Sequence, residues 1–185
     1  MKHKLILAFI GPSGVGKSTV IRQVLQDFPQ FHYCKSVTTR PPRPDEDSYY
    51  FVTEEQFRGM LDRGELLEYI HTEHFYGTPL WELQSTDGPI VCDVTAEGLL
   101  KLKQLPDTTV FTIGLIPPDL LTLEQRILSR KDNMPPEHLR ARMERAREEI
   151  QQVVELADDL VLNDDWRFTA DHVHIIILWL LESYY

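Results

Sequence analysis

Residues 11–19 read GPSGVGKST and directly follow the apolar run LILAFI at residues 5–10. This is the pattern G-x-x-x-x-G-K-[ST], which places a glycine-rich loop between a β-strand and an α-helix. Glycines let such a loop fold into a nest of backbone N–H groups, and the N-terminus of the following helix adds its positive dipole. The stretch therefore predicts a site for the phosphates of a nucleoside triphosphate. The alternative is a glycine-rich turn without a ligand.

Two side chains at the end of this loop have specific chemistry. Lys17 supplies a mobile positive charge to the β- and γ-phosphates, and Ser18 offers a hydroxyl group to Mg²⁺. We therefore expect the triphosphate to bind together with Mg²⁺, with Ser18 as the metal ligand.

The composition is that of one globular domain, or of one domain with small inserted lobes. The 185 residues include 42% hydrophobic and 26% charged residues, which argues against a disordered or fibrous chain. Lys+Arg minus Asp+Glu is 19 − 29 = −10. Such an acidic chain lacks the basic face that broad binding to nucleic acid or an anionic membrane requires. We expect neither partner, and phosphates must be bound by a few local cations.

The cysteines and the apolar runs predict a cytoplasmic protein. Cys34 and Cys92 are too few for a disulfide framework, which favours a reducing compartment. The apolar run at residues 175–181 is far shorter than the ~20 residues needed to span a bilayer. The first apolar run passes into the glycine-rich loop without a small-residue cleavage site.

Short apolar runs alternate with amphipathic helical stretches, which is typical of an α/β fold with a parallel sheet flanked by helices. Helices are expected to begin at or near Lys17, Thr95, Pro118, Pro136 and Arg167. The expected buried strands are residues 5–10, 90–94, 109–115 and 160–162.

The segment from Lys35 to about Glu82 has a different texture and is interpreted as a small α+β lobe inserted into this body. It opens with a proline-rich loop and continues with a strand-like YYFV at residues 49–52. Thr53 and Gln56 then have the spacing of a capping box at a helix start. A second pair of strands is expected from about Leu66 onward.

The proline-rich loop carries two arginines three residues apart, Arg40 and Arg43. Prolines favour the polyproline II conformation, in which residues three apart leave the same face. Two guanidinium groups on one face suit a phosphate dianion. The alternative is a solvated loop with incidental arginines. Taken singly, Tyr49 and Tyr76 are more typical of core or edge aromatic residues than of ligands, and Glu68 is more typical of a solvent-facing strand residue.

In this arrangement the sequence resembles the guanylate kinase family over nearly its whole length. The blocks that carry the resemblance are GPSGVGKST at 11–19, SVTTRPPRP at 36–44, YYFVTEEQF at 49–57, GELLEY at 64–69, FYGT at 75–78 and NDD at 163–165. The resemblance implies a P-loop NTPase-type fold with three parts. These are an ATP-binding core (1–34, 84–130 and 138–185), a GMP-binding lobe (35–83) and a short lid (131–137).

The resemblance also implies roles for individual residues. Arg40, Arg43, Tyr49 and Tyr76 would hold the phosphate of GMP, and Ser36, Glu68 and Thr78 would read its base. Asn163 would approach the adenine of ATP. The residues expected to act on the transferring phosphoryl group are Lys17, Arg40, Arg43, Arg126, Arg130 and Arg142. The ATP-binding loop residues would be Gly11, Pro12, Ser13, Gly14, Val15, Gly16, Lys17, Ser18 and Thr19.

Two departures from the family pattern bear on the acceptor. The family usually reads D-I-D-x-Q-G where this chain has DVTAEG at 93–98, so Thr95 takes the place of an acid on the guanine side. Threonine and aspartate both cap helices, which predicts an intact fold with an altered GMP site. The loop from Glu46 to Tyr49 is also about three residues shorter than usual.

The resulting hypothesis is transfer of the γ-phosphoryl group of ATP to GMP, and to dGMP, with Mg²⁺. One alternative is a kinase of the same fold with another phosphorylated acceptor. The other is a non-catalytic guanylate kinase-like interaction module, which would be expected to lose Lys17 or Ser18. The sequence leaves the oligomeric state open.

Overall fold

The computed structural model describes residues 4–42, 46–129 and 135–184. Its strands and helices alternate along most of the chain, as an α/β fold requires. The elements are β1 Lys4–Ile10, α1 Lys17–Asp27, β2 His32–Cys34, β3 Ser36–Thr38, β4 Tyr49–Phe51, α2 Glu54–Asp62, β5 Leu66–His71, β6 Phe75–Pro79, α3 Leu80–Gln84, β7 Ile90–Asp93, α4 Ala96–Leu102, β8 Thr108–Ile116, α5 Leu120–Leu128, α6 Pro136–Leu156, β9 Asp159–Leu162 and α7 Trp166–Tyr184.

The main sheet has five parallel strands in the order β2-β7-β1-β8-β9. Strand β1 lies at its centre, and residues 5–10 of that strand are at most 3% exposed. Both faces of such a strand must be covered, which explains why it reads as a continuous apolar run rather than an alternating one. Because β1 lies between β7 and β8, its carboxyl end opens into the crevice where parallel sheets bind their ligands.

A second sheet, in the order β4-β3-β6-β5, is formed by residues between 36 and 79. Strands β3 and β4 are parallel, and the other two pairings are antiparallel. Helix α2 covers this sheet through Phe57, which packs with Val37 and Phe75 in a small separate core. The capping box predicted at Thr53 and Gln56 is confirmed at the start of α2.

A buried carboxylate connects the two sheets. Glu82 on α3 accepts hydrogen bonds from Tyr50 Oη at 2.6 Å and from the Lys35 backbone N–H at 3.2 Å, and its Oε2 lies 2.8 Å from His32 Nε2. His32 belongs to the main sheet and Tyr50 to the second one. This cluster therefore fixes where the second sheet begins relative to the first.

The long apolar runs were predicted correctly as β1, β7, β8 and β9, and helices begin within two residues of the five expected positions. Strands β2 and β3 and helix α3 were not predicted. Each has only three to five residues, too short for a hydrophobic period to be visible. In the described part of the chain, no helix has the length and apolarity needed to cross a membrane.

Candidate functional site

The loop between β1 and α1 leads directly into the N-terminus of the helix. Gly16 precedes α1 with φ 110°, a left-handed conformation that strains any residue with a Cβ atom. Since glycine has no side chain to cap the helix, the first N–H groups of α1 stay available to a ligand. Backbone donors and a helix N-terminus therefore meet where an anion binds favourably.

Lys17 lies at the first position of α1 with its ammonium group folded back over the loop. Its Nζ donates to the Gly11 carbonyl oxygen at 2.6 Å and lies 3.7 Å from Asp93 Oδ1. Asp93 ends β7, the strand next to β1. Burial raises the pKa of Asp93, and the neighbouring Lys17 ammonium opposes that rise. Lys17 and Asp93 thus form an ion pair at the carboxyl ends of the neighbouring strands β1 and β7.

Two side chains hold the loop from behind. Asn163, which is 2% exposed, donates from Nδ2 to the Val15 carbonyl oxygen at 2.7 Å. Arg126 donates to the Val15 oxygen at 3.3 Å and to the Asn163 carbonyl oxygen at 2.8 Å. These contacts support the loop structurally. The contacts of Asn163 with adenine and of Arg126 with the phosphoryl group stay predictions.

A carboxylate from α6 approaches the mouth of the loop. Glu149 Oε2 accepts a hydrogen bond from the Ser13 backbone N–H at 3.3 Å. Burial raises the pKa of Glu149, while Lys17 and the Ser13 N–H act in the opposite direction. The loop therefore holds a negative group at one of its backbone donors.

Arg40, two residues after β3 of the second sheet, lies beside aromatic rings. The Arg40 guanidinium donates to Glu46 Oε1 at 2.6 Å and lies 5.5 Å from the centre of the Tyr49 ring. Tyr49 and Tyr76 pack edge to face with ring centres 6.0 Å apart. The structure thus brings Arg40, Tyr49 and Tyr76 together, as the prediction of a phosphate site requires.

Tyr49 is poised as a hydrogen-bond donor. Burial, with the negative charge of Asp93 second, raises the pKa of Tyr49 to about 12. The phenol therefore keeps its proton near neutral pH and can donate to a phosphate oxygen. The carboxylate whose charge acts on Tyr49 also lies 3.7 Å from Lys17 Nζ.

The buried carboxylate of Glu68 is held by two threonines. Thr78 Oγ1 donates to Glu68 Oε1 at 2.9 Å, and Thr95 Oγ1 donates to Glu68 Oε2. Thr95 also accepts from the Gly98 backbone N–H at 3.1 Å, so it caps α4 as predicted. A Cβ atom at Gly98 would lie 2.5 Å from the Glu68 carboxyl carbon, which explains why glycine occurs there.

The pKa of Glu68 reflects opposing effects. Burial raises the pKa of this carboxyl group, and the hydrogen bonds from Thr95 and Thr78 lower it, with a net rise. Glu68 is 6% exposed, so any donor pair presented to it would meet a largely dehydrated acceptor.

The remaining predicted residues are distributed around this centre. Ser36 opens β3 and pairs with Tyr49 in the parallel register. Arg142 on α6 lies 4.0 Å from Glu73 in the turn between β5 and β6, so it reaches across to the second sheet. Arg43, Arg130 and residues 131–134 of the expected lid lie outside the described residues.

Sequence reasoning missed Asp93 and Glu149 as site residues. Asp93 had a recognisable signal, because it is an acid at the carboxyl end of a buried strand in a chain with a phosphate loop. Glu149 had none, since it lies in an Arg- and Glu-rich helix where every carboxylate suggests a solvated ion pair.

Ser18 and Asp93 carry oxygen atoms of the kind that bind Mg²⁺. Hard oxygen ligands are what Mg²⁺ requires, and one or two protein oxygens beside substrate phosphates are its usual set. Ser18 is exposed in the first turn of α1, and Asp93 ends the adjacent strand near Lys17.

Known proteins resemble this chain in sequence and in fold. The profile of the guanylate kinase family matches residues 2–178. A guanylate kinase from Salinibacter ruber is 34% identical over 172 residues, covering 89% of this chain and 90% of its own. One from Streptococcus agalactiae is 39% identical over 182 residues, covering 94% and 85%. A crystal structure of guanylate kinase from Anaplasma phagocytophilum superposes with a TM-score of 0.70 at 26% identity, covering 96% of this chain and 86% of that one.

Proposed function

We propose that this chain, which belongs to the guanylate kinase family and phosphorylates GMP with ATP, binds its two substrates at the site described above. Lys17 marks the end of the site that binds ATP, and Glu68 marks the end that binds GMP. One observation carries this assignment of the site. Asp93 on the main sheet lies 3.7 Å from Lys17 of the phosphate loop, and burial together with the Asp93 charge raises the pKa of Tyr49 in the arginine–tyrosine cluster of the second sheet. The same site is proposed to accept dGMP.

The donor half consists of residues 11–19 and Lys17 in particular. Backbone N–H groups of the loop and the N-terminus of α1 bind the phosphates of ATP. Lys17 stabilises the negative charge on the γ-phosphate during its transfer. Ser18 and Asp93 would hold Mg²⁺, which supplies charge neutralisation to the β- and γ-phosphates when bound.

The acceptor half consists of the second sheet and Thr95. Arg40, Tyr49 and Tyr76, joined by Arg43, bind the phosphate of GMP through charge-assisted and phenolic hydrogen bonds. Glu68 accepts from N1–H and N2–H₂ of guanine, while Thr78 and Thr95 hold it in place and Ser36 assists. Adenine presents no such pair of donors on that edge.

Positioning and charge neutralisation then account for catalysis. The acceptor is already an anionic phosphate oxygen, so no general base is required. Lys17, Arg40 and Arg43 offset the repulsion between two phosphate tails and hold them in line. Arg126, Arg130 and Arg142 add positive charge at the transferring group.

Closure would complete this arrangement. We divide the chain into a core (1–34, 84–130 and 138–185), a GMP-binding lobe (35–83) and a lid (131–137). Arg142 on α6 lies 4.0 Å from Glu73, which supports contact between the lid-side helix and the lobe. Exclusion of water by closure of the lobe and the lid would limit hydrolysis of ATP.

The free, buried thiols of Cys34 and Cys92 support a cytoplasmic location.

The assignment is tested by ADP formation with a panel of acceptors. The purified chain is incubated with ATP, Mg²⁺ and one of GMP, dGMP, IMP, AMP, CMP or ribose 5-phosphate. We expect rapid turnover with GMP and dGMP and background rates with AMP, CMP and the sugar phosphate. A preference for a sugar phosphate would support the other kinase class, and no acceptor-dependent turnover would support an interaction module.

Arg40→Ala is expected to raise KM for GMP about 10- to 100-fold and to lower kcat, while KM for ATP changes little. A hydrogen bond to a charged group contributes about 1.5–3 kcal/mol, which sets this range. The matched control is Arg58→Ala, because Arg58 is an exposed lobe arginine paired with Glu54 in the i,i+4 geometry. An unchanged KM for GMP in Arg40→Ala would remove Arg40 from the site.

Thr95→Val is expected to raise KM for GMP about tenfold, the effect of one lost hydrogen bond. GMP requires an ionised Glu68, so KM for GMP rises as pH falls through the pKa of that group. Thr95 lowers that pKa, and its removal should therefore move the rise in KM to higher pH. Thr95→Ser keeps the hydroxyl group and should keep the wild-type pH profile. Identical pH profiles for valine and wild type would contradict the role of Thr95.

A further inference from the structure

The carboxylate of Glu82 on α3 is buried, with 4% of the residue exposed, and it has three hydrogen-bonding partners. It accepts from the Tyr50 phenol at 2.6 Å and from the Lys35 backbone N–H at 3.2 Å, and its Oε2 lies 2.8 Å from His32 Nε2. A buried carboxylate costs free energy even when it is paired, and apolar packing of similar volume is often as stable. Stability alone therefore gives no reason for a charge at this position.

Two of these partners are neighbours of residues in the proposed GMP site. Lys35 directly precedes Ser36, which begins β3, and Tyr50 directly follows Tyr49 on β4. The two strands are parallel, and Ser36 pairs with Tyr49. Glu82 therefore accepts a hydrogen bond from each of the two chain segments that present Ser36 and Tyr49.

Helix α3 itself continues a third segment of the GMP site. Strand β6 carries Tyr76 and Thr78 and passes directly into α3 at Leu80. Glu82 lies four residues after Thr78, whose hydroxyl group donates to Glu68 at 2.9 Å. One carboxylate thus connects the three strands β3, β4 and β6, and each of these strands carries a proposed GMP ligand.

Glu82 acts from the face of β4 opposite to the proposed phosphate ligands. Successive side chains of a strand point to opposite faces. Tyr49 packs against Tyr76, with ring centres 6.0 Å apart. Tyr50 instead reaches Glu82 and lies beside Trp81, with ring centres 6.3 Å apart. Glu82 is therefore a positioning residue rather than one that contacts the substrate.

We infer that Glu82 positions the acceptor site by holding Ser36 and Tyr49 in place for GMP. This role rests on the proposed GMP site. The contact with His32 fixes the arrangement to the main sheet, because His32 belongs to β2 and also lies 3.0 Å from Ser85 Oγ at the end of α3. A buried polar network favours a single geometry, since any shift leaves one of its groups unsatisfied. Loss of the Glu82 charge should therefore weaken the binding of GMP and leave that of ATP unchanged.

Calorimetric titration with GMP in the absence of ATP, together with steady-state kinetics, tests this role on the full chain. Glu82→Gln is expected to raise Kd and KM for GMP about tenfold, the lower end of the effect of one hydrogen bond to a charged group, while KM for ATP changes little. The matched control is Glu55→Gln, the same substitution at an exposed residue of α2, and its constants for GMP should be those of the wild type.

Tyr50→Phe tests the same contact from its other side. It removes one oxygen atom from a residue that is 40% exposed, so the variant should fold. KM for GMP is expected to rise about 3- to 10-fold, since one of the partners of the carboxylate is lost. Because both substitutions break one contact, the double variant Glu82→Gln with Tyr50→Phe should raise KM no more than Glu82→Gln alone. Effects that multiply would overturn positioning through Tyr50.

Val173→Ala separates loss of stability from loss of positioning. Val173 is fully buried in the main core on α7, so its truncation should lower Tm and leave KM for GMP unchanged. The proposal is overturned if Glu82→Gln lowers Tm but keeps the wild-type KM for GMP. An equal rise in KM for ATP, or an equal rise in KM for GMP in Val173→Ala, would overturn it as well.

Arg40→Ala distinguishes failure of this role from failure of the proposed GMP site. If Arg40→Ala raises KM for GMP while Glu82→Gln and Tyr50→Phe do not, the site stands and the positioning role of Glu82 is wrong. If all three variants keep the wild-type KM for GMP, the site itself is wrong and the role of Glu82 falls with it.

Discussion

Replacing Lys17 by methionine is expected to lower kcat by three orders of magnitude or more. Methionine keeps most of the length of the side chain and removes its charge. The ammonium group lies over the loop, 2.6 Å from the Gly11 carbonyl oxygen, where the β- and γ-phosphates are proposed to bind. Removal of one preorganised charge from a phosphoryl-transfer site typically costs 10³–10⁵ in rate.

The control for this variant is Lys101→Met. Lys101 is an exposed lysine on α4, paired with Glu97 in the i,i+4 geometry. Pairs of this kind contribute about 0.3–0.5 kcal/mol, so the control should fold and turn over like the wild type. Steady-state rates with saturating ATP and GMP decide the matter. A Lys17→Met enzyme that keeps a tenth of the wild-type kcat would contradict the assignment of the donor half.

Glu68→Gln is expected to lower kcat/KM for GMP by about 10²–10⁴ and to narrow the preference for GMP over AMP by a similar factor. Sites that pair a substrate donor with a buried acceptor discriminate at this level, because the wrong partner leaves a buried group unsatisfied. The amide also turns one acceptor into a donor, and that group would face either a guanine N–H or one of the two threonines that donate to Glu68. Against adenine, the same donor can pair with N1.

The control for Glu68 is Glu65→Gln, the same substitution three residues earlier in the chain. Glu65 is paired with Arg63 at 2.6 Å and has a 36% exposed side chain. Its replacement should leave kcat/KM for GMP within a factor of about two, since exposed pairs contribute little. Full selectivity over AMP and IMP in Glu68→Gln would mean that another group reads the base.

Three of the proposed phosphate contacts already have a carboxylate beside them. Asp93 lies near Lys17, Glu149 accepts from the Ser13 N–H, and Glu46 accepts from Arg40. Asp93 and Glu46 thus pair with the local cations Lys17 and Arg40 in a chain of net charge −10. Phosphates that bind must outcompete the acids or share the cations with them, so substrate binding should weaken as salt is added.

Much of the fold was readable from local signals. The strand–loop–helix at residues 5–27 combines an apolar run, glycines and a lysine, and each of these points to the same structure. Thr53 and Gln56 likewise predicted the start of α2, because both hydrogen bonds of a capping box form within four residues. Strands β2 and β3 were invisible because three residues carry no period and their pairing depends on distant strands.

The candidate site was only partly readable. Lys17, Arg40 and Glu68 lie in sequence blocks that match the guanylate kinase family, so their roles could be predicted. The contact of Glu149 with the loop joins residues 136 positions apart, and nothing in either segment anticipates it. The double role of Thr95, which caps α4 and also donates to Glu68, depends on how α4 packs against β5.

Competition for a labelled phosphoryl group tests the central assignment most directly. The chain is mixed with [γ-³²P]ATP, Mg²⁺ and equal concentrations of GMP, IMP, AMP, CMP and ribose 5-phosphate, and the early products are separated. If Glu68 reads guanine while Lys17 and Arg40 align the two phosphate tails, nearly all transferred label appears in the β-phosphate of GDP. Label found mainly in another acceptor, or only as inorganic phosphate, would contradict it.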